Sequence, residues 1–219
     1  MISIKFTEQH EPLIAALGPS LQALALRGTP RAFRKNAMVI REGERGDALF
    51  VLLQGSAKVF ATDEQGREII YGNVVAGDWF GEMALDGGPR SASVMTLEPS
   101  LCAVVERDAL REHLAEEPQF ALELVAQVIR RARAATEIAR SMALKDVYGR
   151  MVAYLESRYG AGSAGAPVEL KPLTHQTIAS CVGASREMVS RLLKDLEKGG
   201  YVQLGVKRIV LMRKLPARW

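Results

Sequence analysis

Two sets of residues carry chemistry that a folded core does not need. The first lies in "GDWFGEMALDGGPRSASV", residues 77–94. Glu82 and Arg90 flank a glycine-rich loop there, and Ser91 and Ala92 lead into a strand-like run. Backbone N–H groups around Gly81, Glu82, Met83 and Ala84 can gather round an anion. Arg90 offers a planar fork for phosphate. Ser91 adds a hydroxyl donor, and Glu82 is an acceptor suited to a ribose hydroxyl. An acid and an arginine spaced this way fit a sugar phosphate with one free hydroxyl. A turn closed by a surface ion pair is the bland alternative.

The second set is Arg186, Glu187 and Arg191 in "SREMVSRLLKDLEKGG", residues 185–200. Read as a helix, the segment buries Val189, Leu192, Leu193 and Leu196 and puts the three charged residues near one exposed face. Arginine pairs bidentately with guanine, and a carboxylate accepts from the cytosine amino group. A carboxylate facing DNA opposes the attraction of phosphate, so Glu187 points to base reading and not to charge alone. The competing reading is an exposed intrahelical ion pair, worth under ~1 kcal/mol.

The elements that must position these sets follow from pattern. "THQTIASCV", residues 174–182, opens on a capping Thr174 and is helical; Gly183 supplies a tight turn, and Ser185 caps the next helix. Helix, short glycine turn, helix is the helix-turn-helix arrangement. "YVQLGVKRIVLMR", residues 201–213, reads as two strands of a wing turning at Gly205. Upstream, residues 7–26 read as short helices broken at Gly18-Pro19. From about residue 30 to 106, short apolar runs alternate with turn signals, which indicates a β-sandwich or barrel.

Pro118 suits the start of a long helix running to about residue 143. Within it Ala121, Val125, Val128, Ala132, Ala135, Ala139 and Met142 alternate steps of four and three. That is a heptad seam, expected to meet the same seam of a second copy, with an amphipathic helix packed within its own monomer as the alternative. Phe120, Leu124 and Ile129 lie off the seam and are expected to pack on the β-domain. Asp146 is a plausible cap for another helix, followed by the flexible stretch "GAGSAGAP".

The 219 residues favour two domains, and a 48% hydrophobic content is enough for two cores. The charge is uneven. Residues 1–117 hold 12 Lys/Arg against 17 Asp/Glu, whereas residues 118–219 hold 17 against 8. A basic C-terminal part suits a polyanion. The start has no signal-like segment and no apolar run is long enough to span a bilayer, so the expected location is cytoplasmic. Cys102 and Cys181 lack metal-ligand spacing and read as small buried hydrophobes. His10 and His113 read as surface residues, and His175 as facing DNA phosphate or solvent. No nucleophile–base or metal constellation suggests an enzyme.

"SREMVSRLLKDLEKGGYV" resembles the recognition helix and wing entry of the cyclic-AMP receptor protein (catabolite activator) family, within the Crp/Fnr regulators, and the resemblance runs the length of the chain. "GEMALDGGPRSA" resembles the phosphate cassette of cyclic-nucleotide-binding domains. The resemblance implies an α+β chain: an N-terminal jelly roll over residues 1–117, a dimerisation helix and hinge over 118–145, and a winged helix-turn-helix over 146–219. It implies that Glu82 holds the ribose 2′-hydroxyl while Arg90 and Ser91 hold the cyclic phosphate. Arg186 and Arg191 would meet guanines and Glu187 a cytosine in a TGTGA-type half-site, with Thr174, Lys194 and Lys207 near phosphates. Two adjacent hydroxyl residues reach the adenine in that family; here the pair is Ala135 and Thr136, and Ala135 departs by lacking the hydroxyl.

The expected ligand is therefore cyclic AMP, with no metal. Cyclic GMP, a cyclic dinucleotide or constitutive DNA binding remain the alternatives. The expected partners are double-stranded DNA, a second copy of the chain and RNA polymerase, and no membrane. The redox-sensing branch needs an N-terminal cysteine cluster that is absent here, and the haem-sensing branch needs an iron ligand for which no histidine pairing is evident.

Overall fold

The computed structural model describes residues 6–159, 167–170, 173–206, 208–216 and 218. Two compact units emerge: Met1–Ala61 with Ile70–Ala132, and Thr62–Ile69 with Arg133–Trp219. The chain opens with α1 (Glu11–Ala15) and α2 (Pro19–Leu26), separated at Gly18, and each has proline in its first turn. Eight strands follow: β1 (Thr29–Phe33), β2 (Met38–Ile40), β3 (Leu49–Gln54), β4 (Ser56–Thr62), β5 (Glu68–Val75), β6 (Trp79–Phe80), β7 (Ser93–Thr96) and β8 (Ser100–Val105). They form two four-stranded sheets, ordered β1-β8-β3-β6 and β2-β7-β4-β5: the sandwich that the pattern of short strands indicated, and the jelly roll that the resemblance implied.

β3 shows how sequence builds this unit. "LFVLLQ" is apolar at every position but the last, and residues 49–53 are all buried. Alternation sends its side chains to two different cores. Leu49, Val51 and Leu53 pack with Leu24, Ala103, Val105, Leu110 and Phe120, under the helices. Phe50 and Leu52 pack with Ala57, Val74, Phe80, Val94 and Cys102, between the sheets. A strand covered on both faces has no use for alternation of polarity.

Next come α3 (Arg107–Glu116) and α4 (Pro118–Leu144), and α4 starts on Pro118. Phe120 is fully buried and Leu124 partly so, both on the core under β3. Ile129, expected to pack with them, is instead 45% exposed. Nine residues after Phe120, at about 100° per residue, it falls on the opposite face of the helix. Along the seam, Val125 and Val128 are exposed, as are Ala135 and Ala139, with Ala132 beside them.

His113 also departs from expectation. The charged residues around it, Arg111, Glu112, Glu116 and Glu117, suggest a surface position, yet its side chain is fully buried. Its ring packs edge-on against Phe120 at 5.0 Å, and neither ring nitrogen has a hydrogen-bond partner among the described residues.

The second unit continues with α5 (Val147–Tyr159), β9 (Val168–Glu169), α6 (His175–Val182), α7 (Arg186–Lys198), β10 (Val202–Gly205) and β11 (Arg208–Leu211). Asp146 Oδ1 accepts from Gly149 N–H at 2.7 Å, the expected cap of α5. Met151, Leu155, Ile178, Ala179, Val189, Leu193, Leu196 and Ile209 form one core among these helices and strands. The wing has three strands, not two, because β9 pairs with β11. Two residues carry too short a pattern to read as a strand. Cys102 is buried, but Cys181 is only partly so. Most of the stretch "GAGSAGAP" lies outside the described residues. Among the described residues, no helix is long and apolar enough to cross a membrane.

Candidate ligand cassette and nucleic-acid interface

β6 delivers the cassette. It pairs with β3 through Phe50 and Phe80, whose rings stack at 5.1 Å. The chain then turns at Gly81, with φ of +95°, into a 3-10 turn over Glu82–Ala84. A Cβ on Gly81 would lie 2.9 Å from both the Ala48 carbonyl oxygen and Arg90 Nη1, so glycine is required for space as well as for torsion.

Those neighbours define the site. Arg90 is 8% exposed; its Nη1 donates to the Gly81 carbonyl at 2.7 Å and its Nη2 to the Ala48 carbonyl at 2.9 Å. Burial pulls the Arg90 pKa below the usual arginine value, opposed by the charges of Asp47 and Glu82. A guanidinium stays protonated regardless, so it sits half-dehydrated, with neutral carbonyls where an anion would serve it better. Ser91 is exposed, and its hydroxyl lies 3.2 Å from the Met83 sulfur. Ala92 leads into β7, and Ala84 closes the 3-10 turn.

Glu82 is 6% exposed, and its carboxylate is paired with Arg131 of α4. Arg131 also donates to the Trp79 carbonyl at 2.5 Å and lies over the Trp79 ring at 5.3 Å. Sequence reasoning missed Arg131. A signal was present: it stands one helical turn before Ala135, the residue already singled out on that helix. The Ala48 carbonyl was also missed, since backbone groups have no sequence signature. Glu82, Arg90 and Ser91 thus come together on one loop. Ala135 and Thr136 are exposed residues of α4 within the second unit.

The helix-turn-helix forms as its caps dictate. Thr174 Oγ1 accepts from Thr177 N–H at 3.0 Å and Ser185 Oγ from Met188 N–H at 3.1 Å. Gly183 ends α6 in the left-handed region, φ +61°, and a Cβ there would lie 2.6 Å from the Met142 methyl carbon. Arg150 ties the turn down. Its Nε donates to the Val182 carbonyl and its Nη1 to the Lys145 carbonyl, both at 2.8 Å.

α7 buries Val189, Leu193 and Leu196, with Leu192 partly covered. Its outer face presents Arg186, Glu187, Arg191 and Lys194, lining one shallow depression with Ser190. None of these four charges forms an ion pair with the described residues, so the intrahelical salt bridge is not made. Lys207 lies outside the described residues. In the wing, Arg208 pairs with Glu169 at 2.9 Å.

Comparison with known proteins agrees with this geometry. The family model for the cyclic nucleotide-binding domain matches residues 30–117, and that for the Crp-like helix-turn-helix domain matches residues 149–216. A CRP-like cAMP-activated global transcriptional regulator of Mycobacterium tuberculosis is 33% identical over 202 residues, covering 90% of this chain and 87% of its own length. The cAMP-activated global transcriptional regulator CRP of Escherichia coli is 30% identical over 184 residues, covering 82% and 87%. Among solved structures, the c-di-GMP responsive regulator CLP of Xanthomonas campestris superposes with a TM-score of 0.77 at 24% identity, covering 88% of this chain and 97% of its own. The Thermus thermophilus catabolite activator protein does so with a TM-score of 0.54 at 28% identity, covering 93% and 94%. Identity of this extent over nearly the whole length, on a jelly roll with a cassette and a winged helix-turn-helix, places the chain in the Crp family of cyclic nucleotide-binding, DNA-binding transcription regulators.

Proposed function

We propose that this regulator is a cyclic-AMP-gated homodimer that reads a TGTGA-type palindrome. The observation that carries the ligand half is the buried Arg90 guanidinium, held by the carbonyls of Gly81 and Ala48 beside the Glu82 carboxylate. A cyclic phosphate offers that fork charge-assisted acceptors, which are roughly twice as strong as neutral ones. Ser91 adds a donor, the backbone from Gly81 through Met83 to Ala84 lines the anion, and Glu82 accepts from the ribose 2′-hydroxyl. Several relatives are named for activation by cAMP, which supports the adenine nucleotide. Thr136 would meet the base.

One observation favours a second reading. Ala135 has no hydroxyl to offer an adenine, and a structural neighbour responds to c-di-GMP. Cyclic GMP or a cyclic dinucleotide is therefore the alternative. The test is calorimetric titration with cyclic AMP, cyclic GMP and cyclic di-GMP in parallel. Cyclic AMP binding tightest supports the first reading, and either of the others binding tightest replaces it.

For the DNA half, Arg186 and Arg191 contact guanines, Glu187 a cytosine, and Thr174, Lys194 and Lys207 phosphates, with Ser185 capping the reading helix. Residues 1–117 form the ligand domain, 118–145 the dimerising helix and hinge, and 146–219 the DNA-binding domain. The seam of Val125, Val128, Ala132, Ala135 and Ala139 supports pairing with a second copy. A dimer sets two reading helices in major grooves one turn, ~34 Å, apart. The ligand shifts the equilibrium only as far as it binds the DNA-competent state better. The protein works in the cytoplasm, without catalysis and without a metal, and acts on RNA polymerase at the promoter.

A further inference from the structure

His175, expected from the sequence to face DNA phosphate or solvent, is a titratable group whose proton the proposed function does not use. It is the first residue of α6, half-buried, and its Nδ1 lies 2.8 Å from the Ser190 hydroxyl on the reading helix α7. The ring lines a small basin with Thr174, Gln176, Arg186 and the wing residue Arg208. The groups facing it are cationic on the α7 side and an ion pair on the wing side. Arg186 and Lys194 come from α7, and Arg208, paired with Glu169, comes from the wing. Glu187 and Arg191 lie further along the α7 face, in the neighbouring depression. Arg186 and Lys194, with no ion pair among the described residues, and a capping threonine beside an imidazole make a place for an anion.

We infer that His175 is a proton-linked phosphate contact, held against the reading helix by Ser190, that makes DNA affinity rise as pH falls. The inference rests on the proposed approach of α7 to the major groove. A neutral imidazole has one donor nitrogen and one acceptor nitrogen, and Ser190 occupies Nδ1. Protonation turns both nitrogens into donors. Ser190 still accepts from Nδ1–H, while Nε2–H and a full positive charge become available to a phosphate oxygen.

The surroundings set the direction. Burial first, then the charges of Arg186 and Lys194, hold the His175 pKa below the ordinary histidine value in the free protein. A DNA phosphate neutralises those cations and raises it. Because the bound pKa exceeds the free one, complex formation takes up a proton between the two values. Affinity is then flat above the bound value, climbs as pH falls through it and levels off below the free value.

The test is fluorescence anisotropy on a mixed-sequence duplex at low salt, where phosphate contacts alone hold the complex. Wild type is expected to bind about three- to tenfold more tightly per subunit at pH 6 than at pH 8, tenfold per pH unit being the ceiling for one proton. Its log–log salt slope should steepen by about 0.9 per subunit at the lower pH, one extra phosphate contact. His175→Gln should abolish both effects, and His175→Arg should bind tightly at both pH values. Ser190→Ala should shrink the pH effect while leaving the fold intact. A flat wild-type profile, or one that persists unchanged in His175→Gln, would overturn the assignment while leaving the DNA reading in place. Absence of binding at either pH would overturn both.

Discussion

The cassette and the reading helix hold similar residues, an arginine, a glutamate and a hydroxyl, in opposite conditions. In the cassette the charges are buried and already partnered: Glu82 with Arg131, and Arg90 with two carbonyls. On α7 the charges of Arg186, Glu187, Arg191 and Lys194 face outward and form no ion pair among the described residues. On the proposed function, a ligand at the first site meets groups already engaged, one of them with α4. The second already presents its charges, so on that same proposal its control comes from where the helix is carried, not from what the helix displays.

The sharpest way to break this contrast is Arg90→Ala. Removing a bidentate, charge-assisted fork from a buried site should cost at least ~3 kcal/mol, or roughly 100-fold in cyclic nucleotide affinity. Calorimetry measures the drop, and an unchanged wild-type affinity would remove Arg90 from the site. Glu187→Ala should have a smaller, position-specific effect, ~1–3 kcal/mol at one base pair. Binding to duplexes varied at that position measures it, and equal affinity of the wild type for all four bases would contradict the role given to Glu187.

Gly183→Ala should lower stability by about 1 kcal/mol or more. The left-handed torsion disfavours alanine, and Met142 occupies the space of the new Cβ. Denaturant melts show it. The smallest effect belongs to His113, buried against Phe120. Burial, followed by Arg27, depresses its pKa, so the unfolded chain takes up a proton more readily than the folded one. The stability it contributes is complete above the unfolded value of about 6.5 and falls away as pH drops from there to the depressed folded value. His113→Phe should flatten that part of the pH–stability curve.

The sequence made the DNA-binding unit easiest to read. Its caps Thr174 and Ser185, its turn glycine and the inner face of α7 are all local features, and local pattern set them. Both cores of the jelly roll were legible as apolar runs, but their division was not, because β3 shows no alternation of polarity. The cassette loop was recognisable, whereas its wiring was not. Arg131 reaches Glu82 from a helix far along the chain, and Arg90 bonds to carbonyls that every residue possesses. His113 misled because charged neighbours outweighed its helical spacing from the buried Leu110. Ile129 misled the other way, being apolar on the face of α4 opposite Phe120.

The central claim is that the buried cassette governs the exposed helix. Anisotropy titration of a labelled TGTGA/TCACA palindrome, with and without cyclic AMP at fixed salt, tests it most directly. The account predicts tight binding with cyclic AMP and only weak, salt-sensitive binding without it. Equally tight binding in both conditions would contradict it, since the state of the cassette would then make no difference to the helix.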